Sequence, residues 1–164
     1  DTEPQVREVL SALEQSGMQM IITYPNTDTS GRQVLRLLES FVETHSNAKL
    51  LPSMGLIGYA SAMRHASAMV GNSSSGIIEA ASFELPVVNI GNRQKGRTKP
   101  ANVIDVGYST EEILVGIQKA VTPAFRKGLK GISNPYSSGQ AGRKIVGTLK
   151  SIALDQRLIA KVAA

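Results

Sequence analysis

Helical and strand-like hydrophobic patterns alternate along the chain. Apolar residues recur every three or four positions in residues 4–16 and again from Val34 to Val42, which is the spacing of one buried helix face. Short apolar runs, such as residues 18–24, stand between these segments and predict buried strands. The further predicted strands are residues 49–51, 68–70, 86–90 and 102–106; the further predicted helices are residues 57–65, a segment that opens after Gly76 and includes residues 79–81, a segment from the cap at residues 109–112 to Val121, and residues 141–152 and 154–162.

This alternation predicts the fold class. Strands separated by helices form right-handed βαβ units, which bury a parallel sheet between helices on both faces. The prediction is a Rossmann-like α/β domain, and 164 residues suffice for one sizeable core. Residues 1–122 form the predicted core, whereas residues 123–164 begin with turns rich in Gly, Ser and Pro and end in helices that we expect to pack on the same domain.

The composition excludes several classes of protein. No apolar run approaches the roughly 20 residues of a membrane-spanning helix, and the first residues lack the features of a secretion signal. Cysteine is absent, which excludes a thiolate metal site and a cysteine nucleophile. His45 and His65 have no neighbouring carboxylate at ligand spacing, so we expect that neither binds a metal or acts as a base. The chain is interpreted as a soluble, cytoplasmic protein without a membrane partner.

The chain has a formal net charge of +5, and some of its basic residues cluster locally. Aromatic residues make up only 4% of the chain and do not interleave with the cations, which argues against nucleic acid as a partner. The pattern favours a small polyanion such as a nucleoside diphosphate. The cations are Arg93, Lys95, Arg97 and Lys99, followed later by Arg126, Lys127 and Lys130.

A run of small residues follows the predicted strand at residues 68–70. It reads Gly71-Asn72-Ser73-Ser74-Ser75-Gly76-Ile77-Ile78-Glu79 and leads into a predicted helix. Free N–H groups at a helix start attract an anion, hydroxyls add hydrogen bonds, and glycines allow the backbone to approach closely. The run lacks the Lys of a Walker loop and the spacing of a dinucleotide fingerprint. A phosphate-binding turn and a serine-rich helix cap without a ligand both stay open.

Two charged side chains fall near this turn in the predicted fold. Glu79, about one turn inside the predicted helix, is placed to reach the ribose of a nucleotide, or else is a surface carboxylate. Arg93 follows the strand at residues 86–90 and is placed to pair with phosphate oxygens, unless the cations form only a solvated charge run.

Two segments carry a family resemblance. Residues 71–80, Gly-Asn-Ser-Ser-Ser-Gly-Ile-Ile-Glu-Ala, and residues 85–97, Leu-Pro-Val-Val-Asn-Ile-Gly-Asn-Arg-Gln-Lys-Gly-Arg, resemble the UDP-sugar-binding segment of hydrolysing UDP-N-acetylglucosamine 2-epimerases. The resemblance implies the second half of a two-domain enzyme of the glycosyltransferase-B type, which holds UDP in this domain and carries out catalysis in the cleft between the domains. Weaker matches lie at residues 24–28, at residues 52–55 together with Tyr59, and at residues 134–139.

The resemblance also implies roles for individual residues. One departure affects the last match, because Ser137 and Ser138 stand where the family has Gly-Asp. The implied UDP-binding residues are Ser73, Ser74, Ser75 and Gly76 at the diphosphate, Glu79 at the ribose, Arg93 at the phosphates, Asn26 in the cleft, and the backbone of Ser53 and Met54 at the uracil.

The implied reaction converts UDP-N-acetylglucosamine and water to N-acetylmannosamine and UDP without a cofactor. The sequence begins after the family's His-Pro segment, so we expect the acidic catalytic residues in an amino-terminal domain that partners this one, and no activity without it. The Asn-Ser-Ser-Ser-Gly run favours the hydrolysing branch. A non-hydrolysing epimerase, the donor domain of a glycosyltransferase and a stand-alone nucleotide sensor are the alternatives, and a homo-oligomeric full-length enzyme stays open.

Overall fold

The structure is a computed structural model that describes residues 2–25, 31–137, 139–153 and 155. Its strands are β1 (Met20–Thr23), β2 (Ala48–Leu51), β3 (Met69–Gly71), β4 (Val87–Ile90) and β5 (Val103–Val106). Its helices are α1 (Thr2–Ser16), α2 (Gly31–Thr44), α3 (Gly55–His65), α4 (Ser74–Ile78), a 3-10 helix (Ala80–Phe83), α5 (Thr110–Ala120), α6 (Pro123–Gly128) and α7 (Ala141–Ser151).

The strands pair in parallel. β1 pairs with β2, and β4 lies between β3 and β5 in a second ladder in which Val88 is opposite both Val70 and Ile104. Parallel neighbours need long crossover connections. A helix lies between β1 and β2, and α4 with the 3-10 helix lies between β3 and β4, whereas residues 91–102 connect β4 to β5 without a helix. The predicted Rossmann-like α/β class is confirmed, although the described strands form two hydrogen-bonded groups where we expected one sheet.

The central strand β4 is buried on both faces. Val88 and Ile90 pack against α1 and α5, where Ile113 lies in the same cluster. Val87 packs on the other face with residues of α3 and the 3-10 helix. Successive side chains of a strand point to opposite faces, so a strand covered on both sides is apolar at consecutive positions. The prediction of helices on both faces is therefore confirmed at β4.

A second core joins α1 and α2 to the β1–β2 pair. Leu10, Leu38 and Phe41 are buried there with Ala48 of β2. Full burial of one such large side chain contributes about 1.5–3 kcal/mol. Leu13 packs against both this core and the β4 core, so α1 connects the two strand groups.

α5 begins at the predicted cap. Ser109 Oγ accepts a hydrogen bond from Glu112 N–H at 3.3 Å and donates to Glu112 Oε2 at 2.9 Å, so Ser109 is the N-cap of the helix. Glu8 of α1 also contacts this helix start, because its Oε2 accepts from Thr110 N–H at 2.7 Å and from Thr110 Oγ1 at 2.6 Å. The Thr110 hydroxyl and then its N–H hold the pKa of Glu8 below its ordinary value.

The structure corrects two of the predicted elements. The predicted helix that opens after Gly76 is wrong: α4 starts at Ser74, ends at Ile78 and gives way to the 3-10 helix. The chain must reach β4 at Val87, and Glu84 turns it there in the left-handed region with φ 53°. α6 was missed, because its Pro-Ala-Phe start follows a Thr122 cap inside a segment predicted as turns. The predicted helix at residues 154–162 lies, apart from Asp155, outside the described residues.

α7 is amphipathic but stands exposed. Every residue of α7 is exposed, including Ile145, Val146 and Leu149, which are each at least half accessible. The packing of residues 123–164 on the core therefore stays a prediction. Neither α7 nor any other helix within the described residues is long and apolar enough to cross a membrane.

Candidate functional site

Three loops of interest follow the carboxyl ends of strands. Residues 71–76, here called the serine turn, follow β3; residues 91–99, here called the basic loop, follow β4; and Ser53 and Met54 follow β2. β3 and β4 are parallel neighbours, so the serine turn and the basic loop leave the sheet at the same edge. That edge is where open α/β sheets bind ligands.

The serine turn is shaped by its own backbone. Ser73 is the N-cap of α4, with φ −69° and ψ 142°, and its Oγ accepts a hydrogen bond from Ser75 N–H at 3.3 Å. Gly76 N–H donates to Ser73 O at 3.3 Å. Within the described residues, the N–H groups of Ser73 and Ser74 have no hydrogen-bond partner. These two donors are available to an anion.

The three serine hydroxyls differ in their surroundings. Tyr59 of α3 donates its hydroxyl hydrogen to Ser75 Oγ at 2.9 Å, and Ser75 Oγ in turn lies 4.0 Å from Met63 Sδ. Ser75 is thus held against α3. The Ser73 hydroxyl accepts the cap bond but keeps its own hydrogen to donate, and the Ser74 hydroxyl has no partner among the described residues.

Gly76 lies against the sheet. A Cβ built at this position would lie 2.8 Å from Val87 Cγ1 and 3.7 Å from Met69 Sδ, and the residue is buried. The missing side chain thus lets α4 pack closely on β3 and β4, whereas the sequence led us to expect close approach to a ligand.

The basic loop begins with a close contact to the loop after β5. Gly91 has φ +71°, and a Cβ there would overlap the ring of Tyr108. The Tyr108 hydroxyl lies 3.3 Å from both the N–H and the Oδ1 of Asn92, so it accepts from one and donates to the other. The start of the basic loop is therefore fixed by a residue 16 positions later in the chain.

The basic loop meets the serine turn at Asn72. Arg93 Nη1 lies 3.4 Å from Asn72 Oδ1, and Gln94 Nε2 donates to Asn72 O at 2.8 Å. Arg93 is exposed, whereas Gln94 is only 3% accessible. The structure thus brings Arg93 beside the serine turn, as expected, where its exposed guanidinium contacts the residue that directly precedes the two unpartnered N–H groups.

The far end of the basic loop is held by an ion pair. Lys99 Nζ lies 2.7 Å from both carboxylate oxygens of Asp105 in β5, and Asn89 Nδ2 donates to Asp105 Oδ1 at 2.7 Å. Partial burial raises the pKa of Asp105, but the hydrogen bonds from Lys99 and Asn89 and the charge of Lys99 outweigh it and leave the pKa lowered. Lys99 is therefore a loop anchor, while Lys95 and Arg97 are exposed cations.

Residues 134–136 cross from α4 to the basic loop. Asn134 Nδ2 donates to Ile78 O at 2.9 Å and to Ser82 Oγ at 2.7 Å, and the Tyr136 hydroxyl donates to Thr98 O at 2.8 Å. This segment carries one of the weaker sequence matches, the one that departs from the family at Ser137 and Ser138. Its position connects the end of α4 with the basic loop.

The other predicted site residues take no part in the contact at Asn72 within the described residues. Glu79 is exposed and is the C-cap of α4, not a residue one turn inside a helix. Ser53 is exposed and its Oγ accepts from Gly55 N–H at 3.2 Å, while Met54 is half-buried just before α3. Asn26 lies outside the described residues. No cluster of three or more metal-ligating side chains is present in the part of the chain that the structure describes.

Three residues that the sequence did not assign to the site contribute to its geometry. The sequence does not identify Gln94 as a site residue, because a Gln between two cations is typical of a polar loop. Tyr108 follows a different strand, so its contact with the basic loop depends on the order of strands in the sheet. Tyr59 appeared in a weak match, but its hydrogen bond to Ser75 requires the packing of α3 beside the turn.

The fold and the site define the class of protein: it is a Rossmann-like α/β domain in which a serine turn and a basic loop meet at the carboxyl ends of parallel strands. A sequence profile of the family described as UDP-N-acetylglucosamine 2-epimerase matches residues 1–150. The chain therefore belongs to the UDP-N-acetylglucosamine 2-epimerase family.

Individual relatives agree with this assignment. UDP-N,N'-diacetylbacillosamine 2-epimerase (hydrolysing) of Legionella pneumophila is 33% identical over 157 residues, which cover 96% of this chain and 40% of that protein. GDP/UDP-N,N'-diacetylbacillosamine 2-epimerase (hydrolysing) of Campylobacter jejuni is 35% identical over 158 residues, covering 94% and 41%. The chain thus spans about 40% of the length of these relatives.

A solved structure shows the same fold. The crystal structure of Methanocaldococcus jannaschii UDP-GlcNAc 2-epimerase in complex with UDP-GlcNAc and UDP superposes with a TM-score of 0.70 at 13% identity. The match covers 90% of this chain and 41% of that chain. At this identity the likeness establishes the fold alone.

Proposed function

We propose that this chain is the UDP-binding, carboxyl-terminal part of a hydrolysing 2-epimerase that acts on a UDP-linked N-acetylated hexosamine. The observation that carries the proposal is the junction at Asn72, where Arg93 and Gln94 of the basic loop contact the serine turn. The junction sets a guanidinium beside unpartnered N–H donors, which suits a diphosphate. Membership of the 2-epimerase family supports this proposal over a glycosyltransferase or a nucleotide sensor.

In this proposal the diphosphate lies across the serine turn. The N–H groups and hydroxyls of Ser73 and Ser74 donate to phosphate oxygens, and Arg93 adds a charge-assisted pair of hydrogen bonds. Ser75 and Gly76 hold the serine turn in place, Ser75 through its hydrogen bond with Tyr59 and Gly76 through its close packing on Val87.

The remaining predicted contacts extend the nucleotide on either side of the turn. Glu79 binds the ribose, the backbone of Ser53 and Met54 faces the uracil, and Asn26 lines the cleft. The assignments of Glu79, Ser53 and Met54 rest on the family resemblance and on the position of each residue after a strand or helix end. The assignment of Asn26 rests on the family resemblance alone.

The proposed reaction begins with loss of UDP from the sugar. The C1–O bond breaks with its electron pair leaving on UDP, while a base removes the proton from C2, which gives an unsaturated sugar. Water then adds, with hydroxyl at C1 and hydrogen at C2 from the opposite face. Negative charge grows on the diphosphate as the C1–O bond breaks, so donors fixed around it stabilise the transition state more than the substrate.

The hydrolysing assignment and the substrate are tested together on the full-length gene product. Two relatives that match 94–96% of this chain are hydrolysing enzymes named for diacetylbacillosamine, so UDP-N,N'-diacetylbacillosamine joins UDP-N-acetylglucosamine as a candidate substrate. Incubation with either one and no acceptor should release UDP and a free 2-epimerised sugar. A UDP-linked epimer without UDP release would identify the non-hydrolysing branch, and the 164-residue chain alone should release no UDP.

The binding site is tested by calorimetric titration of the 164-residue chain with UDP and with uridine. UDP should bind more tightly, because only UDP carries the diphosphate. Arg93→Ala should weaken UDP binding by about 1.5 kcal/mol, the low end for a hydrogen bond to a charged group, because Arg93 is exposed.

Lys95→Ala is the matched control for Arg93→Ala. Lys95 is an exposed cation two residues further along the same loop, and its side chain has no partner among the described residues, so the substitution should change UDP affinity only slightly. Equal affinities of the wild-type chain for UDP and uridine would show that the diphosphate site is wrongly assigned.

A further inference from the structure

Gln94 differs from its neighbours in the basic loop. It stands between Arg93 and Lys95, which are exposed, yet only 3% of its own surface is accessible. Its amide group reaches out of the basic loop and donates from Nε2 to Asn72 O at 2.8 Å. A carbonyl oxygen only accepts hydrogen bonds, so this contact requires the NH2 side of the amide to face Asn72.

The other end of the Gln94 amide is unsatisfied. Gln94 Oε1 is buried and has no hydrogen-bond partner among the described residues. A buried acceptor without a donor costs at least as much stability as one neutral hydrogen bond contributes. An apolar side chain of similar shape would therefore serve the stability of the fold equally well, and the amide needs an explanation other than stability.

The peptide group that Gln94 holds also contains a donor of the proposed site. Asn72 C=O and Ser73 N–H belong to one planar trans peptide, in which the two bonds point in opposite directions. A hydrogen bond to Asn72 O consequently fixes the direction of Ser73 N–H, pointing it away from Gln94. Ser73 N–H has no partner among the described residues.

The same contact fixes the distance between the two loops. Arg93, adjacent to Gln94, lies 3.4 Å from the side-chain Oδ1 of the same Asn72. Gln94 thus holds the peptide group that carries Ser73 N–H, and its neighbour Arg93 contacts the side chain of the same Asn72.

We propose that Gln94 is a positioning residue, which orients Ser73 N–H and Arg93 as a pair for the diphosphate of a nucleotide. This inference rests on the proposed UDP site. It assigns to Gln94 no contact with the ligand, because its side chain is buried beneath the junction.

Asn102 provides a matched control within the same sheet. It is fully buried, donates from Nδ2 to Leu85 O at 2.7 Å, and leaves Oδ1 without a partner among the described residues, as Gln94 does. Asn102 directly precedes β5 and Leu85 precedes β4, so this amide lies at the amino ends of the strands, opposite the site. The two amides share their hydrogen bonding and burial and differ in location.

The test compares Gln94→Met with Asn102→Leu in the 164-residue chain. Gln94→Met should weaken UDP binding about tenfold, the loss of roughly one well-oriented charge-assisted contact. Uridine affinity should stay unchanged, and the urea midpoint of unfolding should stay unchanged or rise. Asn102→Leu should leave the affinities for UDP and uridine as in the wild-type chain. In ¹H–¹⁵N spectra, UDP should shift the Ser73 amide signal in the wild-type chain and much less in Gln94→Met.

Each outcome decides the proposal. Wild-type UDP affinity in Gln94→Met overturns it, as does an equal loss of UDP and uridine binding or a parallel loss of stability, which would show a merely structural role. If Gln94→Met does not fold, Gln94→Leu replaces it in the same comparison, and failure of both variants to fold also overturns the proposal. A wild-type chain that does not prefer UDP to uridine refutes the UDP site itself, and this inference with it.

Discussion

The serine turn and the basic loop leave the same edge of the sheet but are held in place differently. The serine turn takes its backbone form from its own residues, because Ser73 caps α4, while Tyr59, Val87 and Gln94 pack against it or hydrogen-bond to it. The basic loop takes its form from distant ones, since Tyr108, Asp105 and Tyr136 each hold part of it. A local motif therefore defines one wall of the candidate site, and the tertiary structure defines the other.

The largest effect is expected from filling the space at Gly76. Gly76→Val would force side-chain carbons against Val87 Cγ1, which a Cβ alone approaches to 2.8 Å. Overpacking of this kind in a tightly packed interior lowers the free energy of unfolding by about 1–3 kcal/mol. Urea denaturation followed by circular dichroism measures the change.

Gly147→Val is the control for the Gly76 variant. Gly147 is an exposed helical glycine of α7, and a Cβ there meets nothing within 4 Å. It should leave the urea midpoint nearly unchanged. An unchanged midpoint in Gly76→Val would mean that close packing does not explain this glycine and that its role must be sought at the ligand.

A smaller effect is expected from loosening the basic loop. Tyr136→Phe removes the hydrogen bond to Thr98 O, which is partly exposed and contributes about 0.5 kcal/mol. Hydrogen–deuterium exchange should rise in the basic loop and not in the serine turn, because only the former is held by this hydroxyl.

Tyr24→Phe gives the matched control, since the Tyr24 hydroxyl has no partner within the described residues and the side chain is similarly exposed. Faster exchange in both loops of Tyr136→Phe would show that the two walls unfold as one unit. That result would remove the distinction between them.

The same distinction explains how far the sequence predicts this molecule. The serine turn, the Ser109 cap and the strand β4 were predicted because their signals lie within about ten consecutive residues. The end of α4 and the orientation of Gly76 were not predicted, because both depend on how closely β4 packs against α4. Gln94 could not be assigned to the site, because its role depends on its contact with Asn72, which is 22 residues away in the sequence.

The contact between α1 and α5 offers a test that should leave both loops untouched. Glu8 accepts two hydrogen bonds from Thr110, and its pKa is lowered from 4.5. A carboxyl group whose pKa is lower in the folded chain stabilises the fold above its unfolded pKa, and that stability is lost as the pH falls through its folded pKa. Glu8→Gln should therefore lower the urea midpoint at pH 7, and the difference from wild type should shrink as the pH falls below 4.5 and through the lowered pKa of Glu8.

Glu39→Gln is the control, because it removes the same charge from an exposed position of α2. The Glu39 side chain has no hydrogen bond or ion pair among the described residues, so this substitution should leave the loss of stability at acid pH as it is in the wild-type chain. Glu3 and Asp105 also have lowered pKa values, so only the difference between wild type and Glu8→Gln isolates this contact. UDP affinity at pH 7 should be the same in all three proteins, because α1 contacts neither loop through Glu8. A pH-independent loss of stability in Glu8→Gln would assign the effect to altered hydrogen bonding, and a loss of UDP affinity would show that the helix contact and the candidate site are coupled.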